Sequence, residues 1–246
     1  MSSQKIIGVI PARYSSTRLP GKPLVMIGSK TMIERVYCRC LNSQLLDAVI
    51  IATDDEMIVE EVRRFGGTAI LTAPEIATGT DRCFEAIKQS FPDAEIVVNI
   101  QGDEPLIDPS VIDTCINALL LDPEAVCSTP VARLSDPAEL NSPNCVKAVF
   151  DKHGRALYFS RSTIPYIRNA SAECIHYKHI GLYAYRHNFL KLFVSMEQTA
   201  MEKVESLEQL RILSNGYKIH CCPVEYDVIG VDTPEDLERV RQILCD

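Results

Sequence analysis

The chain has 246 residues, enough for one large domain with a sizeable subdomain, and its 46% hydrophobic and 24% charged residues are ordinary globular composition. A net charge of -8 without any lysine- or arginine-rich block argues against general nucleic-acid binding. No apolar run approaches the roughly 20 residues of a membrane helix, and the apolar stretch after M-S-S-Q-K is too short for a signal peptide, so no membrane insertion and a cytoplasmic location are expected. The ten cysteines are scattered and form no C-x-x-C pair, which points to free, mostly buried thiols rather than to disulfides or a structural zinc.

In chain order, Ile6–Ile10 reads as a strand and Thr31–Leu45 as a helix. Ala48–Thr53 is a second strand, Asp55–Phe65 an amphipathic helix stopped by Gly66-Gly67, and Thr68–Leu71 a third strand. Asp81–Ser90 is helical, Glu95–Ile100 a strand, Pro109–Leu121 a helix and Ala125–Val131 a strand. Continuous β-branched runs separated by helices imply a mostly parallel sheet flanked by helices, a Rossmann-like α/β fold. After Pro130 the pattern changes. Asn144–Phe150 and Arg155–Phe159 flank the hairpin-like D-K-H-G, and His176–Arg186 alternates like one strand. Residues 132–188 therefore read as an antiparallel insertion subdomain within a single domain spanning 1–246. Helices at Phe189–Phe193 and Ser206–Ser214, a strand at Lys218–Val224 and a helix from Pro234 follow.

Ligands of open α/β sheets bind beyond the carboxyl ends of the strands, so the residues just after each strand matter most. After the first strand comes P-A-R-Y-S-S-T-R-L-P-G-K-P-L, which gathers Arg13, Arg18 and Lys22 on one loop of an acidic protein. Such a loop can neutralise a triphosphate, although it fits neither the P-loop nor the G-x-G-x-x-G pattern. The plainer alternative is a solvated basic loop. N-I-Q-G-D-E-P places Asp103 directly after a buried strand, and a carboxylate beside phosphates suits Mg²⁺. Asp108 already caps the helix that follows, which leaves Asp103 available. Asp232, in D-V-I-G-V-D-T-P-E-D-L, is either a second ligand or a helix-entry acid before Thr233 and Pro234. T-G-T-D-R at Thr78–Arg82 either meets a base or ribose or simply caps a helix.

These segments occur together with A-T-D-D, A-L-Y-F-S-R-S-T-I-P, H-I-G-L-Y-A-Y, L-E-Q-L-R and G-V-D-T-P-E-D-L-E-R-V, in one order and over essentially the whole chain. In these motifs the chain resembles the sugar-acid cytidylyltransferases, with the opening loop of those that use 3-deoxy-manno-octulosonate (Kdo). The resemblance implies the nucleotide-diphospho-sugar transferase fold. It implies CMP transfer from CTP to Kdo with release of pyrophosphate, in lipopolysaccharide synthesis, by a Mg²⁺-dependent homodimer that dimerises through the insertion. The strand at His176–Arg186 is a candidate dimer edge.

By the same resemblance, Arg13 and Lys22 hold the phosphates, and Asp103 and Asp232 bind the metal. Ala12, Arg13, Lys22, Gly79, Thr80, Arg82, Gln101 and Asp103 form the nucleotide site. Arg161 faces the sugar carboxylate, while His179, Tyr183, Glu208 and Gln209 meet its hydroxyls. Apart from the resemblance, Glu208 and Gln209 read equally as an exposed helical face and His179 as a hydrogen-bonded strand residue. The chain departs from the family at Ile76 and Thr78, where a His-x-Ser run is expected, and Ile76 cannot donate a side-chain hydrogen bond. The competing readings are a cytidylyltransferase for another acid such as a sialic acid, a nucleotidyltransferase using UTP or GTP, and a non-catalytic nucleotide-binding regulator.

Overall fold

Runs of Ile and Val bury both of their faces only where helices cover both sides of a sheet, and the first half of the chain is built that way. A computed structural model of the protein describes residues 5–15, 19–169, 171–226 and 229–245. It forms two compact units, one of residues 1–113, 185–194 and 228–246, the other of residues 114–184 and 195–227.

The first unit starts with β1 (Ile6–Ala12), then a 3₁₀ turn (Lys22–Leu24) and a small antiparallel ribbon of β2 (Met26–Ile27) and β3 (Lys30–Thr31). It continues with α1 (Met32–Cys40), β4 (Ala48–Thr53), α2 (Glu56–Arg64), β5 (Ala69–Leu71), α3 (Gly79–Ser90) and β6 (Ile96–Asn99). The strands lie in the order β5-β4-β1-β6, every pair parallel, with Ile7, Val9, Ile10, Ile51, Val97 and Val98 buried. α4 (Pro109–Leu121) follows, and Asp108 accepts the Ser110 N–H at its start, as a capping residue should.

The second unit carries β7 (Ala125–Leu134), a short α5 (Pro137–Asn141), β8 (Lys147–Phe150), β9 (Ala156–Ser160) and β10 (His176–His179). β8 pairs antiparallel with β9, and β10 lies antiparallel between β7 and β8. β11 (Tyr183–Arg186) and α6 (His187–Phe193) come next along the chain, then α7 (Ala200–Glu205), α8 (Gln209–Ser214), β12 (Lys218–Val224) and α9 (Pro234–Cys245), of which α6 and α9 belong to the first unit. β12 runs parallel to β7. α7 and α8 are clamped by the buried Glu202 and Arg211, whose two hydrogen bonds measure 2.5 and 2.8 Å.

Several elements differ from the sequence expectation for local reasons. α1 stops at Cys40 rather than Leu45, because the Ser43 hydroxyl takes the N–H groups of Leu45 and Leu46 and donates to Asp113. The segment His176–Arg186 is two strands, not one. The Thr129 hydroxyl lies 3.1 and 2.8 Å from the carbonyls of Ile180 and Leu182 and pins the turn between them. β10 is paired on both sides, so it is no free edge. β7 runs on through Pro130 to Leu134, and the Pro130 carbonyl accepts the Ile180 N–H. The helix expected from Ser206 starts at Gln209, since Ser206 itself is left-handed (φ 52°) and ends α7. The nine described cysteines are all free thiols. Cys40, Cys83, Cys115, Cys127, Cys221 and Cys222 are buried, the other three partly so.

Candidate active site

A strand that ends in Pro-Ala-Arg delivers its next residues beyond the sheet edge, where backbone turns decide what meets. Gly21 takes a left-handed conformation (φ 66°), donates its N–H to the Tyr14 carbonyl and so closes the first loop. Lys22 then starts the 3₁₀ turn and points to the ends of two distant segments. Its ammonium lies 2.7 Å from Asp103 Oδ2 and 3.0 Å from Asp232 Oδ1. Burial works against this charge, but the two carboxylates outweigh it and hold the lysine above its ordinary range.

Backbone contacts fix both aspartates. Gly102 sits so close to β1 that a Cβ there would lie 3.0 Å from the Pro11 carbonyl. The Val231 N–H donates to the Asp103 carbonyl, which ties the two acidic segments together. Asp236, in the first turn of α9, accepts the N–H groups of Asp232 and Thr233, and Thr233 caps Asp236 in return. Below them, Ile27, Met32, Val231, Leu237 and Val240 form one buried apolar cluster with Leu19 and Val25 packed on it, so the first loop and α9 share a core. Glu104, the neighbour of Asp103, is buried and pushed up to about 8 by burial and by Asp103.

A cleft of about 360 Å³ opens here, lined by Ala12, Arg13, Ser15, Lys22, Gln101, Asp103 and Asp232 among others. The structure thus brings together five of the sequence-derived nucleotide residues, Asp103 among them, with Asp232. Ser16, Thr17 and Arg18 lie outside the described residues, as do Asp227 and Val228. The Arg13 guanidinium donates to the backbone carbonyl of Ile76, so the position that lost a polar side chain still makes a contact, through its main chain.

Gly79 opens α3, and the Thr78 hydroxyl caps it by accepting the Asp81 N–H, which makes capping the role of Thr78. Thr80 is buried and takes a long 3.4 Å hydrogen bond from Asn99. Arg82 has no exposed surface and bonds Asp54 at 2.8 Å and Thr72 at 2.5 Å. Arg82 Nε and Asn99 Oδ1 are buried without a partner among the described residues, so this corner keeps a donor and an acceptor in reserve. Sequence reasoning gave no role to Asp54, Thr72 or Asn99. Asp54 sits directly after β4, the very place the strand-end rule inspects.

The sugar-acid candidates all belong to the second unit. The His179 ring lies between Phe159 and Tyr183, at centroid distances of 5.2 and 5.3 Å. The Thr129 hydroxyl spends its single hydrogen on a carbonyl, so at 3.0 Å it accepts from His179 Nε2–H. That leaves the His179 lone pair on Nδ1, and burial pushes the ring's pKa down to about 3. Burial also holds the Tyr183 phenol well above its usual range, and Glu208 adds to the effect. Gln209 is buried with Nε2 unpartnered among the described residues, a donor without an acceptor. Arg161 bonds the carbonyls of Glu205 (2.7 Å), Pro143 (2.9 Å) and Ser206 (3.4 Å). His179, Tyr183 and Glu208 therefore form one group, and Arg161 reaches the chain two residues before Glu208.

The described residues include no cluster of three or more His, Cys, Asp or Glu able to hold a metal, and no helix long and apolar enough to cross a membrane. Asp103 and Asp232 nonetheless suit magnesium. Both already converge on one cation, the Lys22 ammonium, and two carboxylates completed by phosphate oxygens and water are its usual donors.

The family described as cytidylyltransferase matches residues 7–219. A 3-deoxy-manno-octulosonate cytidylyltransferase of Syntrophus aciditrophicus (strain SB) is 48% identical, the match covering 98% of each chain. One of Chlamydia abortus is 46% identical over 98% of this chain and 94% of its own. Among solved structures, a CMP:2-keto-3-deoxy-manno-octonic acid synthetase complexed with CTP matches with a TM-score of 0.93 and 42% identity, covering 98% of this chain and 99% of its own.

Proposed function

The chain belongs to the 3-deoxy-manno-octulosonate cytidylyltransferases, and on that premise we propose that its first-loop cleft binds CTP and transfers CMP to Kdo, releasing pyrophosphate. The observation that carries this reading is the convergence of Lys22, Asp103 and Asp232 at the carboxyl end of β1, in a cleft that also holds Arg13. The Kdo anomeric hydroxyl attacks the α-phosphorus. The α–β phosphoanhydride bond breaks in line, pyrophosphate leaves, and the hydroxyl proton passes to solvent. No histidine lines the cleft among the described residues, so catalysis rests on position and charge.

Arg13 and Lys22 bind the phosphates and the departing pyrophosphate. Asp103 and Asp232 would hold magnesium, which when bound neutralises phosphate charge and orients the reacting groups. Ala12, Gly79, Thr80 and Gln101 make the nucleotide-base and ribose contacts. Arg82 acts by holding the α3 start through Asp54 and Thr72, as its complete burial supports. Arg161 meets the sugar carboxylate, and His179, Tyr183, Glu208 and Gln209 meet hydroxyls. The unpartnered Gln209 Nε2 and the Nδ1 acceptor of His179 support that assignment. A homodimer formed through residues 132–188, a cytoplasmic location and a place in lipopolysaccharide synthesis complete the proposal.

The test is pyrophosphate release with CTP, Kdo and Mg²⁺, beside Asp103→Asn and a sialic-acid control. Release with Kdo that fails in the variant and with sialic acid is expected. Release with sialic acid instead would overturn the sugar assignment. Full activity in Asp103→Asn would overturn the metal assignment.

A further inference from the structure

Lys147 opens β8 and has no exposed surface, although lysine is among the residues least often buried. Its three N–H donors are all used on backbone carbonyls: Ser142 at 2.9 Å, Cys145 at 2.7 Å and Arg161 at 2.5 Å. Burial holds the ammonium below its ordinary range, with Glu205 among the charges that counter this. A charge taken out of water is costly, and an apolar residue of the same length would pack without that cost but leave three carbonyls without the ammonium, of which, among the described residues, only that of Ser142 keeps another partner, the Cys145 N–H at 3.3 Å.

What those carbonyls share is Arg161. One is its own. The other two, at Ser142 and Cys145, bracket Pro143 and Asn144, and the Pro143 carbonyl accepts Arg161 Nη1. β8 and β9 pair so that Lys147 lies opposite Ser160, the residue before Arg161. Glu205 completes the cradle. Its carboxylate accepts the Arg161 N–H at 3.0 Å and the Ser160 hydroxyl at 2.6 Å, while its carbonyl accepts Arg161 Nε. The arginine is thus held at its backbone and along both edges of its guanidinium.

We propose that Lys147 is a positioning residue for sugar-acid binding: it ties the 142–145 loop to Arg161 and so sets where the guanidinium points. This rests on the reading of Arg161 as the partner of the sugar carboxylate. A planar guanidinium pairs a carboxylate well only in a narrow range of orientations, and releasing the Pro143 loop lets it swing. Lys147 touches neither substrate nor the reacting atoms in this account.

The experiment measures initial rates of pyrophosphate release by the full chain, varying CTP and Kdo separately, for Lys147→Met, Lys147→Gln and Arg161→Lys. Circular dichroism melts check that each variant is folded. In Lys147→Met the KM for Kdo is expected to rise about tenfold or more while the KM for CTP stays within about twofold. Lys147→Gln, which keeps two N–H donors, should fall between wild type and Lys147→Met, and it carries the test should Lys147→Met fail to fold. A merely structural lysine would lower the melting temperature and the active fraction without moving the KM for Kdo, and that result overturns the proposal. So does an equal rise in both KM values. If Arg161→Lys leaves the KM for Kdo unchanged, the carboxylate reading itself fails. If Arg161→Lys raises it and neither Lys147 variant does, only the positioning inference falls.

Discussion

Replacing Lys22 by Met removes the cation that Asp103 and Asp232 share while nearly keeping the side chain's length. Its hydrogen bonds are short, 2.7 and 3.0 Å, but the three side chains retain 18%, 29% and 46% of their surface. A charge-assisted hydrogen bond contributes about 1.5–3 kcal/mol when sheltered, and an exposed ion pair about 0.2–1. The Asp103 bond belongs near the bottom of the first range and the Asp232 bond in the second. After the cost of desolvating the lysine, a net loss of about 1–2 kcal/mol is expected. In a chain of this size that lowers the melting temperature by roughly 2–8 °C. The lysine titrates above its ordinary range, so the loss should be the same from pH 6 to 9. Without the ammonium, the two carboxylates then offer a place to a divalent ion. Without nucleotide, Mg²⁺ at ten times its dissociation constant should return about 1.4 kcal/mol to Lys22→Met. Wild type, whose carboxylates are already engaged, should gain less. Melts followed by circular dichroism, with and without MgCl₂, measure both effects. A variant as stable as wild type, or one indifferent to Mg²⁺, would show that Lys22 is not the charge that holds the two aspartates together.

Three further outcomes are expected. Asp54→Asn leaves the fully buried Arg82 without its carboxylate and should cost about 3–5 kcal/mol in urea unfolding; a loss below about 1 kcal/mol would mean that Thr72 and solvent suffice. Glu202→Gln breaks the buried pair with Arg211 and should cost a similar amount, with the midpoint of unfolding as the readout. His179 has a depressed folded-state pKa, so the unfolded chain binds its proton first. Its contribution to stability is whole above about pH 6.5 and is lost as pH falls towards 3, at up to about 1.4 kcal/mol per unit. His179→Gln should remove that slope from its own pH–stability curve, so that the difference between the two curves changes with pH below about 6.5, and parallel curves would refute the assignment.

The regular elements were legible because their cause is local. A buried β-branched run such as Ala48–Thr53, or a proline-led helix such as Pro109–Leu121, declares itself in its own residues. α7 was legible too, in the capping pair Thr199 and Glu202, but it passed unread. What stayed hidden depends on partners far along the chain. Nothing within His176–Arg186 says that Thr129 will break it, and nothing near Ser43 announces Asp113. The site divides in the same way. The strand-end rule finds Arg13, Lys22, Asp103 and Asp232, whereas Lys147 looks like an ordinary strand lysine until the Arg161 carbonyl is placed beside it. Gln209, which its sequence allowed as an exposed helical face, proves buried.

The bond between Lys22 and Asp232 joins residues 210 apart. A ribosome that has completed the first loop must therefore add 210 more residues before the second carboxylate exists. Val231, Leu237 and Val240 arrive with it, and the same stretch that brings the second carboxylate also seals the apolar cluster beneath the loop. Contacts of such long sequence separation form late in folding. A chain cut short before them lacks both the second carboxylate and the packing beneath the first loop, although Arg13, Lys22 and Asp103 are already in place in its sequence.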